Sequence, residues 1–393
     1  MSVNHAVSGT DFQFTFHLPT LIEFGCGKAK TLGERLVQQG VKRVFLVGDK
    51  GVEQAGLLAH VTQSWSAAGL SFQLFTDVEP DPSIETIDRG AAVFQAGAYD
   101  CIVAVGGGSP LDTAKGIRVV AANGGSIGDY AGVNRVAVAP QVPLIAIPTT
   151  SGTGSEVTMF GVYSDWQNHV KVTVTSPHMA PSMALVDPEL TRSLPAAMTA
   201  ASGIDALAHG VETYFSLRAR PASDVLALEA ISLVNAHLRR AVRDGSDMEA
   251  RVGMAHGSLL AGMAFNNGFL GLAHAIGSAL SGHCHVPHGI AIGLLLPHVV
   301  QFNAQARPDK AAKIAELLGA KAGSSEQLAA EEAASLIAQL VREIGLPTRL
   351  QEVGVPAEKL ADIAKDSFKS GMMKFNPRTP SEAEVRELLE RMY

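Results

Sequence analysis

The sequence has few cysteines and no long uninterrupted apolar run. Its three cysteines, Cys26, Cys101 and Cys284, are scattered through 393 residues and form no CxxC pair. An odd number of widely spaced cysteines argues against a disulfide framework and favours a reducing compartment. The longest apolar run, GIAIGLLLPHVV at 289–300, is broken by glycine and proline and is too short to span a bilayer.

Charge is also sparse. Charged residues make up 18% of the chain, and the formal net charge of -7 is spread without a run of five like charges. This pattern argues against a nucleic-acid-binding arm or an acidic tail, so we expect small molecules or copies of the same chain as partners. The first residues, MSVNHAVSGTDFQF, lack a basic start followed by an apolar core, and no signal peptide is predicted. We therefore expect a cytoplasmic protein that binds neither nucleic acid nor membrane.

With 47% apolar residues, a chain of this length can fill two cores. Apolar runs of strand length alternate with helix-like segments, such as 51–69, in the first half. The predicted strands lie at 43–49, 71–78, 100–107 and 143–150. Unbroken apolar strands separated by helices predict a doubly wound α/β domain around a parallel sheet. Strands stop after 183–195, so we predict a nucleotide-binding domain over 1–190 and an all-α domain over 191–393.

One loop, GGGSPLDTAKG at 106–116, follows a predicted strand and opens a helix. Gly106, Gly107 and Gly108, followed by Ser109, would let backbone N–H groups approach an anion at the helix N-terminus. Leucine at position 111 excludes the GxGxxG fingerprint. The loop therefore predicts a different phosphate or dinucleotide cradle, with a tight strand-to-helix turn as the alternative.

A second loop, PTTSGTGSE at 148–156, is rich in hydroxyls and glycine. Uncharged donors and acceptors of this kind suit a sugar, an amide or a phosphate edge, although an ordinary polar loop has the same composition. Asp49 ends another predicted strand, where a carboxylate can bind ribose hydroxyls and favour NAD over NADP. A helix N-cap is the alternative for Asp49.

Five histidines and one aspartate lie in two glycine- and alanine-rich segments. Asp205 and His209 are four residues apart in a helical pattern, so they share one face of the helix and could both bind one ion. A solvated polar pair is the alternative interpretation of this spacing. His274 and His288 belong to the stretch GLAHAIGSALSGHCHVPHG at 271–289. Single histidines on apolar faces are commonly packing residues, but four candidate ligands from two segments favour a metal site. One carboxylate and three imidazoles suit Fe²⁺ or Zn²⁺.

Taken together, the motifs resemble those of the iron-containing (group III) alcohol dehydrogenase family over nearly the whole chain. The resemblance rests on LIEFGCGKAKTLGERL, GGGSPLDTAKG, PTTSGTGSEVT, ALVDPELT, GIDALAHGVE and AHAIGSALSGHCHVPHGIAIGLLLPHVVQFN, in this order. It implies a dehydroquinate synthase-like fold, with NAD(P) and one divalent metal in a cleft between the two domains. It also implies a homodimer or a larger homo-oligomer.

The resemblance also implies roles for individual residues. The metal ligands would be Asp205, His209, His274 and His288. The loop from Gly106 to Ser109 would hold the cofactor pyrophosphate, with Asp112 capping beside it. The other implied cofactor contacts are Thr149 and Thr150 at the nicotinamide, Val162 and Lys171 along the cofactor, and Asp49 and Asp81 near the adenosine.

This sequence departs from the family at one catalytic position. Many members carry a histidine four residues after the ligand that matches His274, near the nicotinamide or the proton path, and this chain has Ser278 there. His283 and His285 could line the substrate pocket or replace that histidine, with simple surface exposure as the alternative. We assign the catalytic positions to His274, Ser278 and His285.

The predicted reaction is reversible hydride transfer between NAD(H) and an alcohol/carbonyl pair, with the metal as a Lewis acid on the substrate oxygen. A small alcohol or aldehyde is the expected substrate. The alternatives are a dehydroquinate synthase-like or glycerol dehydrogenase-like enzyme on the same plan, and a non-catalytic nucleotide-binding or assembly protein.

Overall fold

The N-terminal part of the chain is built on a six-stranded, all-parallel sheet. The computed structural model describes residues 13–168, 170–320 and 326–393. In sheet order the strands are β1 (Leu21–Phe24), β9 (Met183–Val186), β6 (Leu144–Pro148), β4 (Cys101–Gly106), β2 (Arg43–Val47) and β3 (Ser71–Phe75). The four strands expected from the sequence are present, and β1 and β9 extend the sheet.

Helices cover both faces of this sheet. Phe45 and Ile102 belong to one apolar core, whereas Val44 and Val103, their neighbours along β2 and β4, belong to the core on the opposite face. A strand that is buried on both faces has no polar side, which explains its continuous apolar sequence. The covering helices are α1 (Leu32–Gln38), α2 (Lys50–Gln54), α3 (Leu57–Thr62), α4 (Ile84–Gln95) and α5 (Gly108–Asn123).

Two features of this part differ from the sequence-based expectation. The helix predicted over 51–69 is broken at Gly56, which adopts a left-handed conformation (φ 74°) that ends α2 before α3 begins. A small second sheet was not predicted. It consists of β5 (Gly132–Val133), β7 (Phe160–Asp165) and β8 (Val170–Thr175), and β7 and β8 pair as an antiparallel hairpin.

The C-terminal part is helical, as predicted. The predicted domain boundary near residue 190 lies between β9 and the first of these helices. They are α6 (Ala196–Phe215), α7 (Pro221–Arg243), α8 (Met248–Gly268), α9 (Leu272–Cys284), α10 (His288–Ala304), α11 (Pro308–Leu318), α12 (Glu326–Glu343), α13 (Leu360–Ser367) and α14 (Glu382–Arg391). The fold class expected from the sequence is therefore confirmed.

Within the described ranges, no helix taken alone has the length and apolar character to cross a bilayer. Among the described helices, α8 and α9 reach that length and apolar character when taken together, but the axis bends by 100° between them.

Candidate active site

The two predicted ligand loops lie side by side because β4 and β6 are neighbouring parallel strands. The amide of Thr149, just after β6, donates to the carbonyl of Gly106 at the end of β4 over 2.9 Å. Gly107 leads into α5, and a Cβ built on it would lie 3.4 Å from the Thr150 side chain. Backbone N–H groups at the start of this 16-residue helix are therefore available next to hydroxyls, an arrangement suited to a phosphate and its neighbouring sugar.

The hydroxyl-rich loop also contacts the helical domain. Gly154 has a left-handed conformation (φ 63°), and a Cβ on it would lie 2.5 Å from the Cα of Gly262 in α8. Position 154 therefore requires glycine for two reasons: its left-handed backbone conformation and the lack of space for a side chain next to Gly262. The loop that follows β6 therefore packs between the sheet domain and the helices.

Asp205 and three histidines converge in the helical domain. The Nε2 atoms of His209, His274 and His288 lie 3.7, 3.3 and 3.6 Å from the same carboxylate oxygen, Asp205 Oδ1. Ligand atoms of Asp205, His209 and His274 all lie within 4.8 Å of one another, and all three residues are buried. His288, the first residue of α10, is the most open of the four, with 37% of its side chain exposed.

Hydrogen bonds among these four side chains do not satisfy all of their buried polar atoms, and a bound metal ion would. Asp205 Oδ1 and His274 Nε2 are buried and have no hydrogen-bond partner within the described residues. Buried polar atoms are rarely left unsatisfied, so an orphaned oxygen facing an orphaned nitrogen indicates a missing partner. Around a tetrahedral ion with bonds of about 2.1 Å, neighbouring ligand atoms lie about 3.4 Å apart. The three separations from Asp205 Oδ1, 3.3 to 3.7 Å, match that spacing.

The second ring nitrogens are anchored so that the Nε2 atoms stay free to bind. His209 Nδ1 donates to the carbonyl of Gly152 over 3.1 Å, and His274 Nδ1 donates to Glu212 Oε2 over 2.5 Å. Such partners fix the tautomer and the orientation of a metal-binding imidazole. Glu212 also accepts from the amide of Ala273 at the start of α9. Sequence reasoning missed Glu212, although it lies three residues after His209 on the same helix face.

Burial and charge set the protonation of this cluster without a metal. Burial alone would raise the pKa of Asp205, but the imidazoles of His209, His288 and His274 hold it well below its usual value. Burial lowers the pKa of His209 to about 4, against the influence of Asp205. For His274 burial also favours the neutral form, but the carboxylates of Asp205 and Glu212 prevail and raise its pKa to about 9. Without a metal, this pKa favours a proton on His274 Nε2, 3.3 Å from Asp205 Oδ1, and a bound cation would displace that proton.

Two residues predicted to contact the cofactor form one network beside the glycine loop. Lys171 Nζ lies 2.7 Å from Asp81 Oδ1 and donates to Ser164 Oγ over 3.1 Å. The amide of Asp81 donates to Ser109 Oγ over 3.3 Å. The charges of Asp81 and Lys171 both influence the pKa of His288. This network is therefore bonded to the glycine loop through Ser109, and its charges act on one of the candidate metal ligands.

Asp112 is engaged inside the fold. Its carboxylate accepts from the Ser155 hydroxyl and from the amide of Val162 over 3.0 Å. Asp49 is likewise engaged, because it accepts from the Val52 amide over 2.7 Å and caps α2. Asp49 therefore acts as the N-cap of α2. This hydrogen bond uses Oδ1 and does not involve Oδ2.

The remaining candidates have partners away from the ligand nitrogens. Ser278 donates its hydroxyl to the carbonyl of His274 in the same helix, over 2.8 Å. His283 Nε2 lies 2.9 Å from Asp366 Oδ2. His285 is exposed, ends α9 in a left-handed conformation (φ 54°) and lies with its ring centroid 5.6 Å from that of Trp166.

Comparison with known proteins identifies the family. The family model described as iron-containing alcohol dehydrogenase matches residues 19–188, and the model for the C-terminal part of the Fe-containing alcohol dehydrogenase family matches residues 199–393. The chain belongs to the iron-containing alcohol dehydrogenase family. The resemblance drawn from the sequence motifs is thereby confirmed.

Individual relatives of this family are similar over nearly their whole length. The NAD-dependent methanol dehydrogenase of Bacillus methanolicus is 40% identical over 95% of this chain and 98% of its own. The 1,3-propanediol dehydrogenase of Klebsiella pneumoniae is 40% identical over 97% of this chain and 99% of its own. A crystal structure of a 1,3-propanediol oxidoreductase superposes with a TM-score of 0.94, at 40% identity, over 97% of this chain and all of that one. The fold is the dehydroquinate synthase-like fold of these enzymes.

Proposed function

We propose that this chain interconverts a small alcohol and its aldehyde or ketone by hydride transfer, with NAD and a divalent metal held by Asp205, His209, His274 and His288. The chain is an oxidoreductase of the iron-containing alcohol dehydrogenase type. The observation that carries the ligand set is the convergence of three imidazole Nε2 atoms on Asp205 Oδ1, at 3.3 to 3.7 Å.

We propose Fe²⁺ as the native metal, with Zn²⁺ as the alternative. Three neutral imidazoles and one carboxylate form a donor set that both ions accept. The family to which the chain belongs favours iron. A divalent cation bound there would supply Lewis acidity to a substrate oxygen.

The residues of this chain would bind and orient the reactants. The loop from Gly106 to Ser109, with its backbone N–H groups at the N-terminus of α5, would hold the NAD pyrophosphate. Thr149 and Thr150 would line the nicotinamide side, and Asp81, Val162 and Lys171 would lie along the cofactor. The buried anchors Gly152 and Glu212 would keep His209 and His274 oriented when substrate enters. Assignment of Ser278 and His285 to catalysis stays a prediction.

We also propose a cytoplasmic protein that assembles as a homodimer or larger homo-oligomer. Cys26, Cys101 and Cys284 are all free, which is typical of a reducing compartment. The assembly is proposed from the family resemblance alone, and size-exclusion chromatography with light scattering measures it directly.

Metal analysis combined with an activity screen tests the proposed function. Protein purified without added chelator is expected to contain about one divalent metal per chain, mainly iron. It should oxidise NADH with a panel of short aldehydes and ketones and reduce NAD⁺ with the matching alcohols. Chelation should abolish both reactions, and re-addition of Fe²⁺ or Zn²⁺ should restore them. NADH binding without turnover across the panel would instead support a non-catalytic nucleotide-binding protein.

Cofactor preference is tested at Asp49 with a variant that keeps the helix cap. Asp49→Asn retains a side-chain oxygen for the Val52 amide but removes the charge that would repel a 2′-phosphate. We expect the ratio of kcat/KM for NADP to that for NAD to rise by about tenfold, an electrostatic change near 1.4 kcal/mol. An unchanged ratio, with unchanged thermal stability, would remove Asp49 from the cofactor site.

A further inference from the structure

A buried lysine lies behind the phosphate loop. Lys115 of α5 has no exposed surface, and its Nζ lies within 3.3 Å of four oxygen atoms. The two shortest contacts, both 2.7 Å, are to the Ser155 hydroxyl and to the carbonyl of Phe160. The others are the Thr158 hydroxyl and the Asp112 carboxylate. One cation therefore joins α5 to the segment that follows β6 and to the first residue of β7.

Asp112 completes this connection. Its Oδ1 accepts from Ser155 and its Oδ2 from the Val162 amide, while its backbone carbonyl accepts from the Tyr163 hydroxyl over 3.0 Å. A buried charged group is costly unless it is paired and fully hydrogen-bonded, so Lys115 and Asp112 stabilise only this arrangement of the loop. Displacement of the loop would leave the buried charges of Lys115 and Asp112 without several of their hydrogen-bond partners.

The same loop also contacts a proposed metal ligand, His209. Three residues before Ser155, the carbonyl of Gly152 accepts from His209 Nδ1 over 3.1 Å. Between them, Gly154 is held against Gly262 of α8 at a distance that admits no side chain. The segment 149–158 is thus fixed to α5 on one side and to α6 and α8 on the other.

We infer that Lys115 is a positioning residue that holds the segment 149–158 in register with both the phosphate loop and His209. The inference rests on the proposed function, because it concerns the NAD and metal sites of that proposal. The Lys115 ammonium group bonds to Ser155, Thr158, Asp112 and the carbonyl of Phe160 and to none of the four proposed metal ligands, so it acts through these partners. Its loss would weaken NAD and metal binding together, although the two sites lie in different domains.

Lys115→Met tests the inference, with Lys310→Met as the matched control. Lys310 is also a buried lysine, bonded to the carbonyl of Tyr214 and 3.7 Å from Asp224, but it joins helices of the other domain. Both variants replace a buried ammonium group by an apolar side chain of similar length. Thermal unfolding of the two variants measures the general loss of stability, which both are expected to show.

The decisive measurements are binding constants, made without turnover. NADH affinity is measured by fluorescence titration, and Co²⁺ affinity of the metal-free protein by its d–d absorption and by competition with a chelator. We expect Lys115→Met to raise the Kd for both NADH and Co²⁺ by about tenfold or more, the size of effect known for groups that orient metal ligands. Lys310→Met should leave both within about twofold of the wild-type values.

Ser155→Ala keeps the inference falsifiable if Lys115→Met does not fold. This variant removes only the hydroxyl shared by Lys115 and Asp112, and it should weaken both ligands in the same direction by a smaller factor. A folded variant that binds NADH and Co²⁺ as the wild type does would overturn the inference, as would equal losses in Lys310→Met. A wild-type protein that binds neither NADH nor Co²⁺ would instead refute the proposed function, and the inference would fall with it.

Discussion

His274 and His288 differ sharply from His283 and His285, although all four lie in one short stretch. The first pair turns Nε2 toward Asp205 Oδ1, whereas His283 pairs with Asp366 and His285 contacts Trp166 at the surface. Local composition is the same for both pairs. What separates them is the position of each residue relative to α6, since only the first pair faces Asp205.

The difference shows that histidine content alone does not identify a metal site. A histidine is a convincing candidate ligand under two conditions. One ring nitrogen faces other potential metal-binding atoms that have no hydrogen-bond partner, and the other ring nitrogen is hydrogen-bonded to the protein. His274 meets both conditions through Asp205 and Glu212. His283 lies outside the group of possible metal ligands, and its Nε2 is 2.9 Å from the Asp366 carboxylate.

The largest expected effect separates His274 from His283 directly. His274→Ala removes a proposed ligand that is buried, so we expect metal content to fall to a few percent of one per chain and turnover to fall by more than roughly 100-fold, beyond the usual range for outer partners. His283→Ala should keep metal content and change turnover by less than about threefold. Metal analysis and NADH oxidation measure both. Full metal content in His274→Ala would contradict the ligand assignment.

A smaller effect is expected at the anchor of His274. Glu212→Gln keeps an acceptor for Nδ1 but removes the negative charge, so we expect metal affinity to fall by about 10- to 100-fold. Competition with a chelator measures this affinity. The control is Glu343→Gln, which removes a partly exposed carboxylate paired with Arg239 and should leave metal affinity unchanged. Equal metal affinity in Glu212→Gln and the wild type would show that the charge of Glu212 does not contribute to metal binding through His274.

The pH dependence of metal binding reports the protonation of His274. In the metal-free protein the pKa of His274 is raised to about 9, and a metal can bind only after that proton leaves. Metal affinity should therefore fall by about tenfold per pH unit as the pH is lowered below about 9. In Glu212→Gln the break should move to lower pH, since one of the two carboxylates that raise the pKa is neutral. Co²⁺ titrations between pH 6 and 9.5 measure both curves, and a flat wild-type curve would contradict the protonation described for this cluster.

Much of this site could be predicted from sequence because its elements are local. A glycine run after an apolar strand predicts a loop at the carboxyl edge of a sheet, and the spacing of Asp205 and His209 predicts a shared helix face. The motif order was enough to indicate the family. These features depend on neighbours within one element or on the resemblance as a whole.

The parts that the sequence did not reveal depend on contacts between distant segments. The anchor Glu212 meets His274 across a separation of 62 residues, and Lys115 meets Ser155 across 40. The hairpin of β7 and β8 was missed because it lacks the long apolar runs of the central sheet. The break at Gly56 depends on a left-handed turn within a pattern that otherwise favours helix.

The smallest effect is expected at His285, the exposed residue at the end of α9. His285 is exposed and left-handed, so His285→Gly relieves backbone strain of about 1–2 kcal/mol but adds unfolded-chain entropy that offsets most of it. We expect metal content within about twofold of the wild type and turnover within about threefold, as for a ring that only packs against Trp166. His285→Ala serves as the control that removes the ring without relieving the backbone. A turnover loss of about 100-fold in both variants at full metal content has the size of general acid–base catalysis, and it would assign His285 to proton transfer in place of the histidine that Ser278 replaces.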